Sequence, residues 1–506
     1  MKHSTARTFA SLGQKLFAVV VILVMIAIGV FCSWLLLAQI VMACVLVFIG
    51  AFIAFKFTLC YTARKHRFLP RQNVIAFDPG LPVYTIYAPM FDEPEGLPSL
   101  LAGIDQLHYD KTKLQVLLLL ETRENDPSTW AKLDTLFLPP YVEVVAVPDR
   151  SIKNKPTALN VGLARTKGEF AVIYDAEDRP DPDQLLKAVG TFREADNTIA
   201  CSQARLRFSN ERTSFVSRML QLEYDVHFRL LLPGLAYLGL VAPLGGTSNH
   251  FRVSALREIA ARTRVLPEVR PESLGGWDSY NVTEDAELAG RLYEMGFKIE
   301  MLDSTTYEVA TTTVKAVIPQ RSRWQKGYLQ TWFTYTRNVR HHIRRMGVKR
   351  WSAYVLFLMG TTQSIFLSTL TWIITCVYFA TRSTYIEAVF PWPLLYLGAF
   401  LLVVGNLAIW IQHVTVAITS CHPSSAKYTL GLLVWQQLAT VSHLIALWEL
   451  SSRSRRSKWR KTEHAGGFAS LSQLENGVSP DVVAIPIPHG LPEHKGPRKA
   501  LESETA

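Results

Sequence analysis

The sequence predicts an α/β domain, a mainly parallel sheet with helices on both faces, inserted between transmembrane helices at its N-terminal and C-terminal ends. Three observations predict it. Apolar and aromatic residues make up 49% of the 506 residues, and they crowd into the stretch before Cys60 and again between Trp351 and Leu450. The region between them alternates short apolar runs with helical spacing, the pattern of a sheet covered by helices. Cations stand beside the apolar runs, as they do in membrane proteins.

From Leu16 to Leu59 the chain is almost uncharged, with Lys56 near the end. About 20 apolar residues span a bilayer, so this stretch holds two helices joined by a turn near Ser33 to Gln39. A signal peptide is the competing reading; it would have a shorter apolar core and a small-residue cleavage site. With Lys2, Arg7 and Lys15 before the hairpin and Arg64 to Arg71 after it, both ends are expected in the cytoplasm.

Strands are expected at Val83–Ile86, Val116–Leu120, Val142–Val147 and Phe170–Tyr174, and an amphipathic helix at Lys155–Arg165. Apolar runs return at about Tyr354–Ala380, Ala388–Ile418 and Leu430–Leu450. Three crossings would leave the C-terminus outside, yet Arg453 to Lys461 is a basic cluster that belongs inside. Either one run lies in the membrane interface or one folds into two passes. The expected units are residues 1–60 (transmembrane hairpin), 80–335 (cytoplasmic catalytic domain), 350–450 (membrane and interfacial helices) and 465–506 (a polar tail without a core).

The formal charge of +11 raises nucleic-acid binding, which the placement of the cations argues against. They flank apolar runs, where anionic lipid attracts them, and no base-reading module accompanies them. The six cysteines have no CxxC spacing, so neither a zinc site nor a disulfide framework is expected.

In open α/β sheets, ligands bind at the carboxyl ends of the strands. The strand Phe170–Tyr174 runs into Asp175-Ala-Glu-Asp178. Three carboxylates there suit magnesium or manganese, which would bridge a diphosphate; an acidic loop with Asp181 or Asp183 capping the next helix is the plainer account. Gly245-Gly-Thr-Ser-Asn-His250 offers close backbone approach and small polar donors, or an ordinary turn. Gly275-Gly-Trp-Asp-Ser-Tyr-Asn-Val-Thr-Glu-Asp285 ends in a carboxylate pair at the head of a helix expected over Ala286–Met295. Either Thr283 caps that helix and the acids complement its dipole, or one acid is a general base for an acceptor hydroxyl. Asn281-Val-Thr283 also matches a glycosylation sequon, which a cytoplasmic domain would never expose to that machinery. Gln320-Arg-Ser-Arg-Trp324 opens a basic, aromatic segment reaching Trp332. It can neutralise a diphosphate and stack on a sugar, or rest as an amphipathic helix on a membrane.

Taken in this order between membrane segments, the motifs from Leu81 to Trp332 resemble the membrane-bound family 2 glycosyltransferases, the group of cellulose, hyaluronan and related polysaccharide synthases. GGTSNHF, GGWDxYNVTEDA and Lys461-Thr-Glu-His464 resemble its bacterial polysaccharide-synthase branch. The resemblance implies a GT-A fold. Pro89, Phe91 and Glu93 would line the nucleotide pocket with Glu121, and Lys155 and Asp175 would approach the diphosphate. Asp175 with Glu177 or Asp178 would hold Mg2+ or Mn2+, and Asp285 would be the catalytic base. Gln320, Arg323 and Trp324, with Glu284 and Trp277, would hold the diphosphate and the acceptor end. Two departures stand out: Glu121-Thr-Arg-Glu124 where many relatives have paired aspartates, and Asp-Ala-Glu-Asp in place of Asp-x-Asp.

The expected reaction is inverting transfer from a nucleotide-sugar, a UDP-sugar by preference, at the inner membrane. The leading expectation is a processive synthase that exports its polysaccharide through its own helices, with export or periplasmic proteins as partners. A single addition to a lipid-linked acceptor is the alternative, and a non-catalytic receptor or export component a third.

Overall fold

Strand β1 (Tyr84–Met90) is apolar on both faces, the composition of a strand covered by helices on each side. It pairs in parallel with β2 (Leu114–Leu120) and β4 (Phe170–Ile173), and β2 pairs in parallel with β3 (Val142–Ala146). β5 (Arg179–Pro180), β6 (Ile199–Phe208), β7 (Asn249–Arg252) and β8 (Lys298–Glu308) complete the sheet, in the order β3-β2-β1-β4-β7-β6-β8-β5. β7 is antiparallel to both β4 and β6, so β6 and its parallel neighbour β8 run in the same sense as β4. The carboxyl ends of β1, β2, β4, β6 and β8 therefore share one edge of a mixed sheet, half of it wholly parallel. The computed structural model describes residues 5–66, 80–148, 152–263, 275–419, 423–452 and 454–456. The chain divides into Met1–Ala465 and Gly466–Ala506. The expected tail at 465–506, the Lys461–His464 segment and most of the last basic cluster lie outside the described residues.

The helix expected over Lys155–Arg165 forms over those residues, with Asn154 accepting from Thr157 N at 3.1 Å as its cap. Each expected strand forms with its bounds shifted by a few residues at most. Among the described residues five helices are long and apolar enough to cross a membrane: Leu12–Cys32, Trp34–Lys65, Val348–Thr381, Trp392–Thr419 and Ser425–Ser451. The first two meet at Ser33, whose extended backbone breaks the helix and whose hydroxyl caps the second.

The ends of these helices place them. Thr5 O accepts from Arg337 at 3.1 Å and Ala6 N donates to Asp278 at 2.8 Å, so the segment just before the first helix lies on the α/β domain. Trp34–Lys65 returns to it: Leu59, Cys60 and Ala63 join the catalytic core, and Gly234 meets the Leu59 backbone so closely that a Cβ there would lie 2.3 Å from Leu59 O. Val348–Thr381 leaves from the same side, with Tyr354, Phe357 and Leu358 in that core, and Trp392–Thr419 comes back with Val416 in it. The last helix differs. Near its start Tyr428 lies under Arg218 and Trp435 under Arg321, and near its end Glu449 binds Lys326. It packs against the helix Val314–Tyr335 and, through the Thr369 and Thr440 hydroxyls 2.8 Å apart, against Val348–Thr381.

Candidate active site

The shared strand edge carries the acids. Asp175 and Glu177, just past β4, are half-buried and face the cleft, while Asp178 is fully buried. Asp178 Oδ2 accepts from Asp175 N at 2.6 Å and from the Thr247 hydroxyl, which also bonds Ile173 O. Burial, with the charges of Asp175 and Glu177 beside it, pushes the Asp178 carboxyl well above its ordinary range. Asp178 thus braces the loop from beneath, and Asp175 and Glu177 are left as the two carboxylates presented outward. Among the described residues no three His, Cys, Asp or Glu side chains close on one point as a metal cage. Two hard-oxygen ligands plus diphosphate oxygens do suit a magnesium-sized ion, which keeps few protein ligands. The Asp178 Oδ1 atom is buried without a hydrogen-bond partner.

Lys155, the first residue of its helix, donates to Asp175 Oδ1 and to Gly246 O at 2.8 Å. Burial works against its charge, but the Asp175, Glu284 and Asp178 carboxylates together outweigh it and hold the ammonium above its ordinary range. Glu308, at the end of β8, joins the same acidic edge. Burial and then Asp178, Glu177 and Asp175 raise its carboxyl well above normal. Sequence reading missed Glu308, since only the parallel pairing of β8 with β6 brings it here.

The second carboxylate pair opens the helix Glu284–Glu294. Thr283 makes no side-chain cap bond there. The loop is held instead by the helix Val314–Tyr335: Asn281 Nδ2 donates to Thr331 at 2.8 Å and Val282 N to Gln330 Oε1 at 3.1 Å. The sequon asparagine is therefore buried. Burial and then the neighbouring Asp285 push the Glu284 carboxyl up to about 8; burial pushes Asp285 up to about 6. Glu284 is buried, whereas Asp285 opens into a cavity with Gly245, Gly246, Thr283 and Trp324. Near neutral pH this pair holds a proton on Glu284 and a charge on Asp285, the state a general base needs.

Arg323 faces this centre; burial lowers its guanidinium below the ordinary range, and Glu284, Asp175 and Asp285 oppose that in part. Arg321, two residues earlier, turns away to Glu223, its Nη2 donating to Oε1 at 3.0 Å. Gln320 is buried in the helix, its Oε1 without a hydrogen bond. Of the nucleotide-pocket residues, Phe91 is exposed, Pro89 and Glu93 are half-buried, and Glu121 lies buried at the end of β2. Their loop is braced by Asp126, which accepts from Asp92 N at 2.9 Å.

One expected acceptor contact is corrected. Trp277 is 3% exposed and packs edge-on against Tyr87 and Phe251, with its backbone held at both ends by Asn160. It is a core residue that fixes the loop over the Lys155 helix, because the two preceding glycines let the chain dip inward. Its ring offers no platform for a sugar.

Two family models match this arrangement. Glycosyl transferase family 2 matches residues 88–251, through Lys155 and the acidic loop after β4, and Glycosyl transferase family group 2 matches residues 171–417, through Asp285, Arg323 and the first returning membrane helix. The chain belongs to the family 2 glycosyltransferases. Among members of the family it is similar to probable glucomannan 4-beta-mannosyltransferase 1 of Arabidopsis thaliana, at 24% identity over 67% of this chain and 59% of that one. It is also similar to beta-monoglucosyldiacylglycerol synthase of Trichormus variabilis, at 24% identity over 57% of this chain and 58% of that one. The chain thus spans less than two thirds of these relatives' length. A solved mannosyltransferase from Pyrobaculum calidifontis, in complex with GDP-Man and Mn2+, aligns with 80% of the chain at 19% identity and a TM-score of 0.49. The GT-A expectation accords with the mixed sheet and its single edge of functional loops.

Proposed function

We propose that this chain transfers a sugar, with inversion, from a nucleotide-sugar onto a hydroxyl of an acceptor lodged between its membrane helices. The observation that carries this is a cavity of about 710 Å3. It begins at Asp285 and Trp324 and continues among the helices Trp34–Lys65, Val348–Thr381 and Trp392–Thr419 to Glu387 and Phe390. On this reading four helices cross the membrane, the last helix lies at its interface, and the catalytic domain and Arg455 and Arg456 share the cytoplasmic side.

In the reaction, Asp285 takes the proton of the acceptor hydroxyl as its oxygen attacks the anomeric carbon, and the sugar–phosphate bond breaks. Lys155 and Arg323 offset charge on the departing nucleoside diphosphate. Asp175 and Glu177 would hold a divalent cation, magnesium or manganese, which supplies Lewis-acid stabilisation of that diphosphate when bound. Protonated Glu284 contributes a hydrogen-bond donor without a second negative charge.

Extension of a polysaccharide is favoured by one wall of the cavity. Thr361, Ser364, Ser368, Thr371, Thr375 and Tyr378 recur three and four residues apart, giving a hydroxyl face about 26 Å long on a helix rising 1.5 Å per residue. A sugar chain can exchange hydrogen bonds along it. Single addition to a lipid-linked acceptor is the second reading, favoured by Ile49, Phe52 and Ile53, which line the same cavity and suit a hydrocarbon.

The test is nucleoside diphosphate release by the full chain in nanodiscs, with magnesium or manganese and a panel of UDP- and GDP-sugars. Release from one donor, lost in Asp285→Asn and on chelation, supports the reading, and sizing the product separates polymer from single addition. Release that survives Asp285→Asn sinks the proposed base.

A further inference from the structure

Where the cavity leaves the catalytic domain it passes Lys56, Glu223, His227 and His413. Glu223 is held bidentately by Arg321, so its charge is answered there. Lys56 has no hydrogen-bond partner among the described residues, and its ammonium stands 5.9 Å from the centre of the Phe52 ring. Lys56 and Arg321 against Glu223 leave one net positive charge facing the cavity at this level. Asp285 and Glu387 lie towards its two ends. His413 Nδ1 donates to Ile409 O at 2.8 Å, which leaves Nε2 as an acceptor in the neutral ring. Burial, followed by the charge of Lys56, pushes His227 down to about 4, so its ring is neutral and has one N–H to offer.

An unanswered ammonium among Ile49, Phe52 and Leu231 is costly, and such a group in a membrane protein marks a binding site. We propose that Lys56, flanked by His227 and His413, holds the phosphate of a lipid-linked acceptor. The sugar of that acceptor reaches Asp285, and its hydrocarbon runs along the apolar wall of Ile49, Phe52 and Ile374.

Three features select a phosphate on a lipid. Lysine binds phosphate as a point charge, and its ammonium sits on the path between the transfer site and the apolar wall. The acceptor nitrogen of His413 can meet a P–OH, and the N–H of His227 an oxyanion. An acidic polymer, by contrast, would meet the same fixed cation at every repeat and be held back as it moved. The acceptor so defined serves a single addition or the first addition to a polymer, and its placement rests on Asp285 marking the transfer site.

The experiment measures binding of a short-chain polyprenyl phosphate, and of the matching uncharged polyprenol, to the full chain in zwitterionic nanodiscs. Wild type should bind the phosphate at least tenfold more tightly than the alcohol. Lys56→Met should erase that difference and Lys56→Arg restore most of it. Nucleotide-sugar binding in the same preparations reports that the variants are folded. Equal binding of phosphate and alcohol by wild type, or an undiminished preference in Lys56→Met, overturns the proposal. So does displacement of the lipid by an acidic oligosaccharide at lower concentration, which would assign Lys56 to an acidic polymer. Transfer that persists in Asp285→Asn would overturn the placement of the base while leaving this binding result intact.

Discussion

Lys326 Nζ donates to Glu449 Oε2 at 2.7 Å, with the two side chains 1% and 5% exposed. One lies on the helix that carries Arg323 and Trp324, the other near the end of the last apolar helix. The pair is joined by Gln325, whose Nε2 donates to Ala439 O at 3.0 Å and whose Oε1 accepts from His443 Nδ1 at 2.8 Å. The last helix is thus bound by charge and hydrogen bonds to the helix that carries Arg323 and Trp324.

Removing one member of this pair strands a buried charge. Glu449→Gln is expected to destabilise the protein by about 3–5 kcal/mol, the usual cost of breaking a buried ion pair. Lys326→Met with Glu449→Met should recover much of that loss, since neither charge is then left alone. Thermal unfolding of the purified chain, followed by loss of monodisperse protein, measures both; equal midpoints for wild type and Glu449→Gln would show the pair to be energetically idle.

Asp285 and Glu284 predict the acid limb of the pH profile. A general base works deprotonated, and burial raises Asp285 to about 6. Transfer should therefore rise tenfold per pH unit below about 6 and flatten above it. Asp285→Asn should lower the rate by about 10²- to 10⁴-fold. Glu284→Gln keeps the neutral hydrogen-bonding form that Glu284 has below about 8, so it should retain activity and leave the acid limb near 6. A limb that moves to lower pH in that variant would show Glu284 to be charged where Asp285 titrates.

The acidic loop after β4 predicts a division of labour. Glu177→Gln should raise the cation concentration for half-maximal activity at least tenfold, because one of two outward carboxylates is lost. Asp178→Asn replaces a buried carboxyl, whose charge burial disfavours, by an amide of the same shape, so cation dependence should shift by less than about threefold. Titrating nucleoside diphosphate release with manganese tests both, and a larger shift in Asp178→Asn would make the buried acid the ligand.

Much of this was legible in the sequence because it is local. Strand β4, the acids after it, the Lys155 helix and the carboxylate pair at 284–285 are read from contiguous patterns of period two and 3.6. What was not legible depends on pairing across the chain. Glu308 reaches the site only because β8 lies beside β6. Trp277 turns inward because Asn160 holds its backbone, a contact between residues 117 apart. The last helix has the hydropathy of a membrane span, and its contacts with Arg321, Gln325 and Lys326, more than 100 residues away, leave no mark in the local pattern.

Gly327 sits between the two halves of the site. A Cβ there would lie 2.3 Å from Thr283 Oγ1 and 2.7 Å from Thr283 Cβ, too close for rotation of the threonine to relieve. Gly327→Ala must push the Thr283–Asp285 turn away from the helix that carries Arg323. Overpacking of this kind costs about 1–3 kcal/mol, and a shift of the base by 1 Å can lower a rate about 100-fold. The expected result is a loss of kcat far larger than any change in nucleotide-sugar affinity, since Lys155 and Asp175 stay in place. Thr283→Ala combined with Gly327→Ala vacates two of the three clashing atoms and should restore part of kcat. If the double variant is no better than Gly327→Ala, the glycine acts on the helix itself rather than through the Thr283 turn.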